Sequence, residues 1–126
     1  ADEKIIQLMY NIKLPYNINT FTQNKASQIL KNTKRKSRIV RLINSHKEYL
    51  IKELLKLPFI KKIYHSDANF LLVKTTDAQY IYDYLIENKI IVRNRSTLLN
   101  CSDCIRITVG TKKENKKLIS VLKQLR

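Results

Sequence analysis

Glycine occurs once in 126 residues, proline twice and tryptophan never. So little Gly and Pro leaves no low-complexity linker of either the flexible or the stiff kind, and no internal repeat is present. No apolar run approaches the roughly 20 residues that cross a bilayer, so a membrane partner is not expected. The first residues, Ala1-Asp2-Glu3-Lys4, have neither a methionine nor a signal-peptide pattern. The expectation is a cut through a longer chain. Cysteine and histidine are scarce as well. Cys101 and Cys104 form one C-x-x-C, and His46 and His65 stand alone. A zinc site needs four ligands at defined spacings, so no metal is expected. A thioredoxin-like pair belongs at a strand-to-helix junction, whereas Cys104 opens a strand. Two free thiols suit a reducing cytoplasm, the expected compartment.

What the chain has in excess is positive charge, formally +15. Charge of that size suggests a polyanion, and a basic nucleic-acid-binding module is one reading. Composition offers another. Eighteen of the 25 basic residues are lysine, and Lys, Ile and Asn share A/T-rich codons. Base composition alone therefore raises lysine at exposed positions. The densest stretch, Lys31, Lys34, Arg35, Lys36, Arg38 and Arg41, contains none of the aromatic residues that nucleic-acid binders interleave. Nucleic acid is thus not the expected partner.

Hydrophobic periodicity orders the elements α-α-α-β-β-α-β-β-α. A first helix covers residues 2–12, and Pro15 and Asn17 break it in the loop Leu14–Thr20. Thr20 or Thr22 caps a second helix through about Leu30. A long helix then reaches about Leu57, with Ile39, Ile43, Leu50, Leu54 and Leu57 on one face, and Pro58 ends it. Lys61–Tyr64 reads as a short edge strand. Asn69–Lys74 is a near-continuous apolar run, as in a strand covered on both sides. Thr76 or Asp77 caps a helix through Glu87, with Ile81, Tyr84 and Leu85 inward. Ile90–Arg93 is the next strand, 94–103 a polar loop, and Cys104–Val109 the last strand. Thr111 and Glu114 have capping-box spacing before a helix that buries Leu118, Ile119, Leu122 and Leu125. This order predicts an α/β domain with a three- to four-stranded sheet and helices mainly on one face.

The last strand carries a charge where alternation matters. Ile105, Ile107 and Val109 point one way, and Cys104, Arg106 and Thr108 the other. A half-buried guanidinium cannot shed its charge and needs an anion, from the protein or from a ligand. Asp103 and Glu114 are the internal candidates.

Six stretches in this order resemble the C-terminal part of the histidinol-phosphate aminotransferase family, pyridoxal-phosphate enzymes of fold type I. They are Ala1-Asp2-Glu3-Lys4-Ile5-Ile6, Leu14-Pro15-Tyr16-Asn17-Ile18-Asn19, Lys47-Glu48-Tyr49-Leu50, Tyr64 to Val73 with Ser66 and Asn69-Phe70, Ile90-Ile91-Val92-Arg93-Asn94, and Cys104 to Asn115. The resemblance covers essentially the whole chain. It implies that residues 1–30 end the large domain and its interdomain loop, and that 31–126 form the small domain. It implies amino transfer between glutamate and imidazole-acetol phosphate, with pyridoxal phosphate as cofactor and a homodimer in the complete enzyme. A fragment of another fold-type I aminotransferase is the near alternative. In the family the cofactor-holding lysine precedes the part resembled here, so this chain alone is expected to be inactive and to contain no catalytic residue.

By the same match Arg106 is the anion anchor, able to grip a substrate carboxylate or phosphate bidentately. Each charge-assisted bond is worth about 1.5–3 kcal/mol. Arg93 matches a second substrate arginine. Arg95 is expected at the surface. Asn69 is expected to order a loop through its side chain, and Tyr16 to lie in a loop near the site. One departure stands out: the family usually has glycine where this chain has Lys89, which suggests positive φ there at a cost of roughly 1 kcal/mol.

Overall fold

The computed structural model describes residues 2–13, 16 and 18–125. It divides into two compact units, Ala1–Lys36 and Ser37–Arg126.

The first unit holds helices α1 (Glu3–Ile12) and α2 (Thr20–Leu30). The Asp2 carboxylate accepts the Lys4 N–H at 2.8 Å and caps α1. The cap of α2 is Asn19, not Thr20 or Thr22: its side-chain oxygen accepts the Thr22 N–H at 2.8 Å. Asparagine is the stronger cap, and one residue earlier it leaves both threonines inside the first turn. The expected break at Pro15 and Asn17 lies outside the described residues.

Helix α3 (Thr33–Leu54) contributes Leu50 and Leu54 to the core of the second unit, while Ile43 is half-buried and Ile39 stays exposed. The six basic residues between Lys31 and Arg41 are all exposed. The helix stops three residues short of the expected Leu57. There Leu57 turns inward after an N–H bond to the Leu54 carbonyl (3.0 Å), ahead of Pro58.

Strands β1 (Ile60–Tyr64) and β2 (Phe70–Thr75), helix α4 (Ala78–Glu87), strands β3 (Arg93–Asn94) and β4 (Cys104–Thr108), and helix α5 (Lys112–Leu122) follow. The four strands form one antiparallel sheet in the order β1-β2-β4-β3. Burial along β2 alternates, so the expectation of cover on both sides is corrected: Leu71, Val73 and Thr75 are buried, whereas Phe70, Leu72 and Lys74 are half-buried. The buried face joins Ile105 and Ile107 to Leu50, Leu54, Ile81, Leu85, Leu118, Ile119 and Leu122. Burying side chains of this size contributes about 1.5–3 kcal/mol each.

Two local devices place β3. Asp77 caps α4 by accepting the Tyr80 N–H at 2.9 Å. At the other end Ile90 N–H reaches the Leu85 carbonyl (2.8 Å) and Lys89 N–H the Ile86 carbonyl (2.9 Å). This is a Schellman closure, and its left-handed residue is Lys89, at φ 59°. Glycine is the usual occupant of that position because it lacks a Cβ. The chain leaves this turn at Ile90, so the strand expected over Ile90–Arg93 joins the ladder only at Arg93. Ile91 is 86% exposed and Val92 is buried, on the way in.

Candidate functional site

The register opposes Arg93 on β3 directly to Arg106 on β4, and Arg106 to Leu72 on β2. Directly opposed residues in an antiparallel ladder lie about 4.5–5.5 Å apart at Cα and point to the same face. Like charges so placed repel each other. Among the described residues neither arginine has an ion-pair partner, because the three ion pairs are Lys56–Glu53, His65–Asp67 and Lys123–Glu53. Arg106 is half-buried, and its Nε is a buried donor with no partner. Its guanidinium stands over the Phe70 ring, 5.2 Å from the centroid. Phe70 is one ladder step away on β2, opposite Thr108. The ring supplies cation–π attraction and a flat wall but accepts no hydrogen bond in the guanidinium plane.

The internal anions considered for Arg106 are engaged elsewhere or unpaired. The Glu114 carboxylate accepts both the Thr111 N–H and the Thr111 hydroxyl, at 2.7 Å each, closing the expected capping box. Those bonds, the hydroxyl first, hold the Glu114 carboxyl below its ordinary range. Asp103 offers its main-chain carbonyl to Thr75 (N–H at 2.8 Å, hydroxyl at 3.2 Å) and forms no ion pair among the described residues.

The next row of this sheet face carries further cations. By register Lys62, Lys74, Cys104 and Arg95 make the neighbouring row, and Lys62 lies 5.0 Å from the Tyr64 ring. Arg95 is half-buried rather than at the surface, because its N–H continues the ladder to the Cys104 carbonyl at 2.8 Å. Arg93 is the exposed member of the opposed pair.

Behind β4, Asn115 fixes the exit turn. It is 2% exposed. Its Oδ1 accepts the Gly110 N–H (3.0 Å) and its Nδ2 donates to the Gly110 carbonyl (2.9 Å). His46 Nδ1 lies 3.1 Å from the same carbonyl oxygen. A Cβ on Gly110 would meet Glu114 Oε2 at 2.9 Å and Glu114 Cβ at 3.1 Å, so a larger residue there crowds the capping box. The buried Lys47 donates from Nζ to the Ser66 carbonyl at 2.7 Å and ties α3 to the β1–β2 loop. The stacking of Phe70 on Arg106 and the bonds of Asn115 to Gly110 have no signal in the sequence. Phe70 reads as one more apolar strand residue, and the Asn115–Gly110 spacing has no periodic signal.

Asn69 is exposed and makes no side-chain hydrogen bond among the described residues; its carbonyl accepts the Val109 N–H at 2.8 Å. The β1–β2 loop is ordered instead by the Ser66 hydroxyl, which accepts the Ala68 N–H at 3.2 Å. Tyr16 belongs to the first unit and is 82% exposed. A cleft of about 430 Å³ lies between Ile90–Val92 and α5, and neither arginine lines it.

The described residues fit the anionic end of a small molecule rather than a pyridoxal-phosphate pocket. The strand residues of this face include no carboxylate to partner a pyridine nitrogen, while the Arg106 Nε is a buried donor without a partner among the described residues and Arg93 is an exposed cation opposite it. No cluster of three or more metal-ligating side chains occurs among the described residues, and no described helix is long and apolar enough to cross a membrane.

A family model described as aminotransferase class I and II matches residues 1–122. Histidinol-phosphate aminotransferases of Cytophaga hutchinsonii and Flavobacterium psychrophilum are each 46% identical to the chain, over 98% and 99% of its length. The chain spans about a third of those relatives, 35% and 36%. Among solved structures, the histidinol-phosphate aminotransferase from Clostridium acetobutylicum superposes with a TM-score of 0.79 at 27% identity, over 98% of this chain and 38% of that one. The enzyme from Sinorhizobium meliloti, solved with pyridoxal-5'-phosphate, shares the fold at a TM-score of 0.70 and 18% identity, over 95% of this chain and 34% of that one.

Proposed function

The chain belongs to the class I and II aminotransferase family, and on that premise we propose that it forms the substrate-anion wall of a histidinol-phosphate aminotransferase. The observation that carries this reading is the Arg93–Arg106 pair, opposed on adjacent strands with no ion-pair partner among the described residues. In this reading residues 1–30 close the large domain and 31–126 form the small domain. The whole enzyme is a homodimer that moves an amino group between glutamate and imidazole-acetol phosphate. Pyridoxal phosphate, held by parts of the enzyme outside this chain, supplies the electron sink for that chemistry.

The chain's own contribution is positional. Arg106 offers a fork of donors to the carboxylate of glutamate or the phosphate of histidinol phosphate. Phe70 fixes the plane of that fork from one side. Arg93 adds a second cation on the solvent side, where it meets the phosphate. Because Arg106 sits in the middle of a paired strand, the anion it grips is held at a fixed distance from the reacting carbon. Asn69 holds the entry to β2 through its main-chain bond to Val109. No lysine here is assigned to hold the cofactor, so the chain alone does not transaminate.

A graft tests this. The matched segment of the Cytophaga hutchinsonii enzyme is replaced by this chain, and kcat/KM for histidinol phosphate is measured. The graft should be active, and Arg106→Lys within it should lose about tenfold or more, the loss of one charge-assisted bond. An active graft that tolerates Arg106→Lys would remove the assignment.

A further inference from the structure

The loop from β3 to β4 is a run of three hydrogen-bonded turns: Leu98 N–H to the Arg95 carbonyl (2.9 Å), Cys101 N–H to the Leu98 carbonyl (3.0 Å), and Cys104 N–H to the Cys101 carbonyl (3.0 Å). The last turn has the two cysteines at its ends. Asp103 takes the left-handed conformation at its third position, φ 54°, as a type II turn requires. Such a turn holds its end Cα atoms within about 7 Å, and disulfides span about 4.4–6.8 Å. A second left-handed residue, Asn100 at φ 59°, fixes the approach to Cys101. Cys101 is half-exposed, Cys104 is fully buried, and both are free thiols. The absent helix rules out a thioredoxin-type centre but not a bond across the turn.

We propose that Cys101 and Cys104 are a reversible modification site that takes a low-molecular-weight disulfide as co-reactant and closes into a disulfide across this turn. The Cys101 thiolate attacks the external disulfide, forming a mixed disulfide and releasing one thiol. The Cys104 thiolate then attacks the Cys101 sulfur and releases the second thiol. Two protein thiols are oxidised, and one external disulfide is reduced to two thiols. The order follows from access. Burial, and then the neighbouring Cys101, pushes the Cys104 thiol above its ordinary value, which disfavours it as the thiol that begins the exchange. The Cys104 carbonyl is the ladder partner of Arg95, and Arg106 lies two residues along β4. The bond therefore staples the strand that carries the anion anchor. The inference stands on the turn alone and does not depend on the aminotransferase reading.

The test uses the unmodified chain, equilibrated with stepped ratios of oxidised to reduced glutathione, in buffer and in concentrated urea, then alkylated and cut with trypsin. Cleavage after Arg95 and Arg106 leaves both cysteines on one peptide, Ser96–Arg106. In buffer that peptide should lose two hydrogens and take no alkyl group. Its midpoint should lie tenfold or more towards reducing conditions relative to urea, because the folded turn presents the two thiols to each other. Cys104→Ser should stop with glutathione on Cys101, and Cys104→Ala should do the same if the serine disturbs the packing around that buried position. Three results would overturn the proposal: peptides linked between chains, glutathione left on Cys101 of the unmodified chain, or a midpoint in buffer no more reducing than in urea.

Discussion

On β2 and β4, Leu71, Val73, Ile105 and Ile107 face the helices and are at most 1% exposed, whereas Phe70, Leu72, Lys74 and Arg106 face the other way and are only half-buried. Each residue of the first set sits next in sequence to one of the second, so strand periodicity alone separates the two faces. The first face is closed, its apolar side chains joining one cluster with residues of α3, α4 and α5. The second face is open and carries like charges side by side. Without an anion that arrangement is unfavourable: the opposed guanidinium groups repel, and a buried, unpaired donor costs about 1–3 kcal/mol. One face specifies the fold, and the other gives up stability in a form that ligand binding can recover.

Substitutions on the two faces should therefore behave oppositely. Ile105→Ala leaves a cavity between sheet and helices and should cost about 2–5 kcal/mol in a denaturant titration. Arg106→Ala, one residue further on, should leave the denaturation midpoint unchanged or raise it, while removing about 1.5–3 kcal/mol of affinity for phosphate-bearing substrates, roughly 10- to 150-fold in Kd. A large stability loss at Arg106 would merge the two faces and break the comparison. Lys89→Gly probes the turn that delivers Arg93 to the ladder. It relieves a left-handed lysine and should stabilise by about 1 kcal/mol, measurable as a rise in Tm.

The smallest effect should come from the closed side. Glu53 takes hydrogen bonds from Lys123 on the chain just past α5 and from Lys56, and these hold its carboxyl down at about 2 against an ordinary 4.5. A depressed carboxyl stabilises the fold above the ordinary value and loses that contribution as pH falls from about 4.5 towards 2. Glu53→Gln should flatten the stability profile in that window and leave it unchanged near neutrality in slope. A wild-type profile already flat between those pH values would contradict this.

The order of all nine elements was legible from apolar spacing and the Thr111–Glu114 box from its residue types, whereas Asp77 was one of two candidate caps and positive φ at Lys89 followed only from the family resemblance. Where expectation and structure part, the cause lies in contacts that spacing does not record. Asn19 outcompetes two threonines for one cap. The Schellman turn delays β3 until Arg93, so Ile90–Val92 approach the sheet without pairing. Arg95 is drawn inward by its ladder bond to Cys104. The charge at Arg106 was visible as a break in alternation, but its place opposite Arg93 depends on strand register, and its stacking on Phe70 depends on the pairing of β2 with β4. Neither pairing is encoded within a single strand. Asn115 has the spacing of an ordinary helix residue, and only the fold brings it onto the Gly110 peptide.

The anion account is tested most directly at one atom. Arginine side-chain NMR can follow the Nε–H of Arg106 while inorganic phosphate is added to the chain. That proton should shift in a saturable manner and should respond far more weakly in Arg93→Ala. Lysine ammonium signals that move while the Arg106 Nε–H stays fixed would show phosphate collecting on the general positive charge of the surface, and the paired arginines would lose their role.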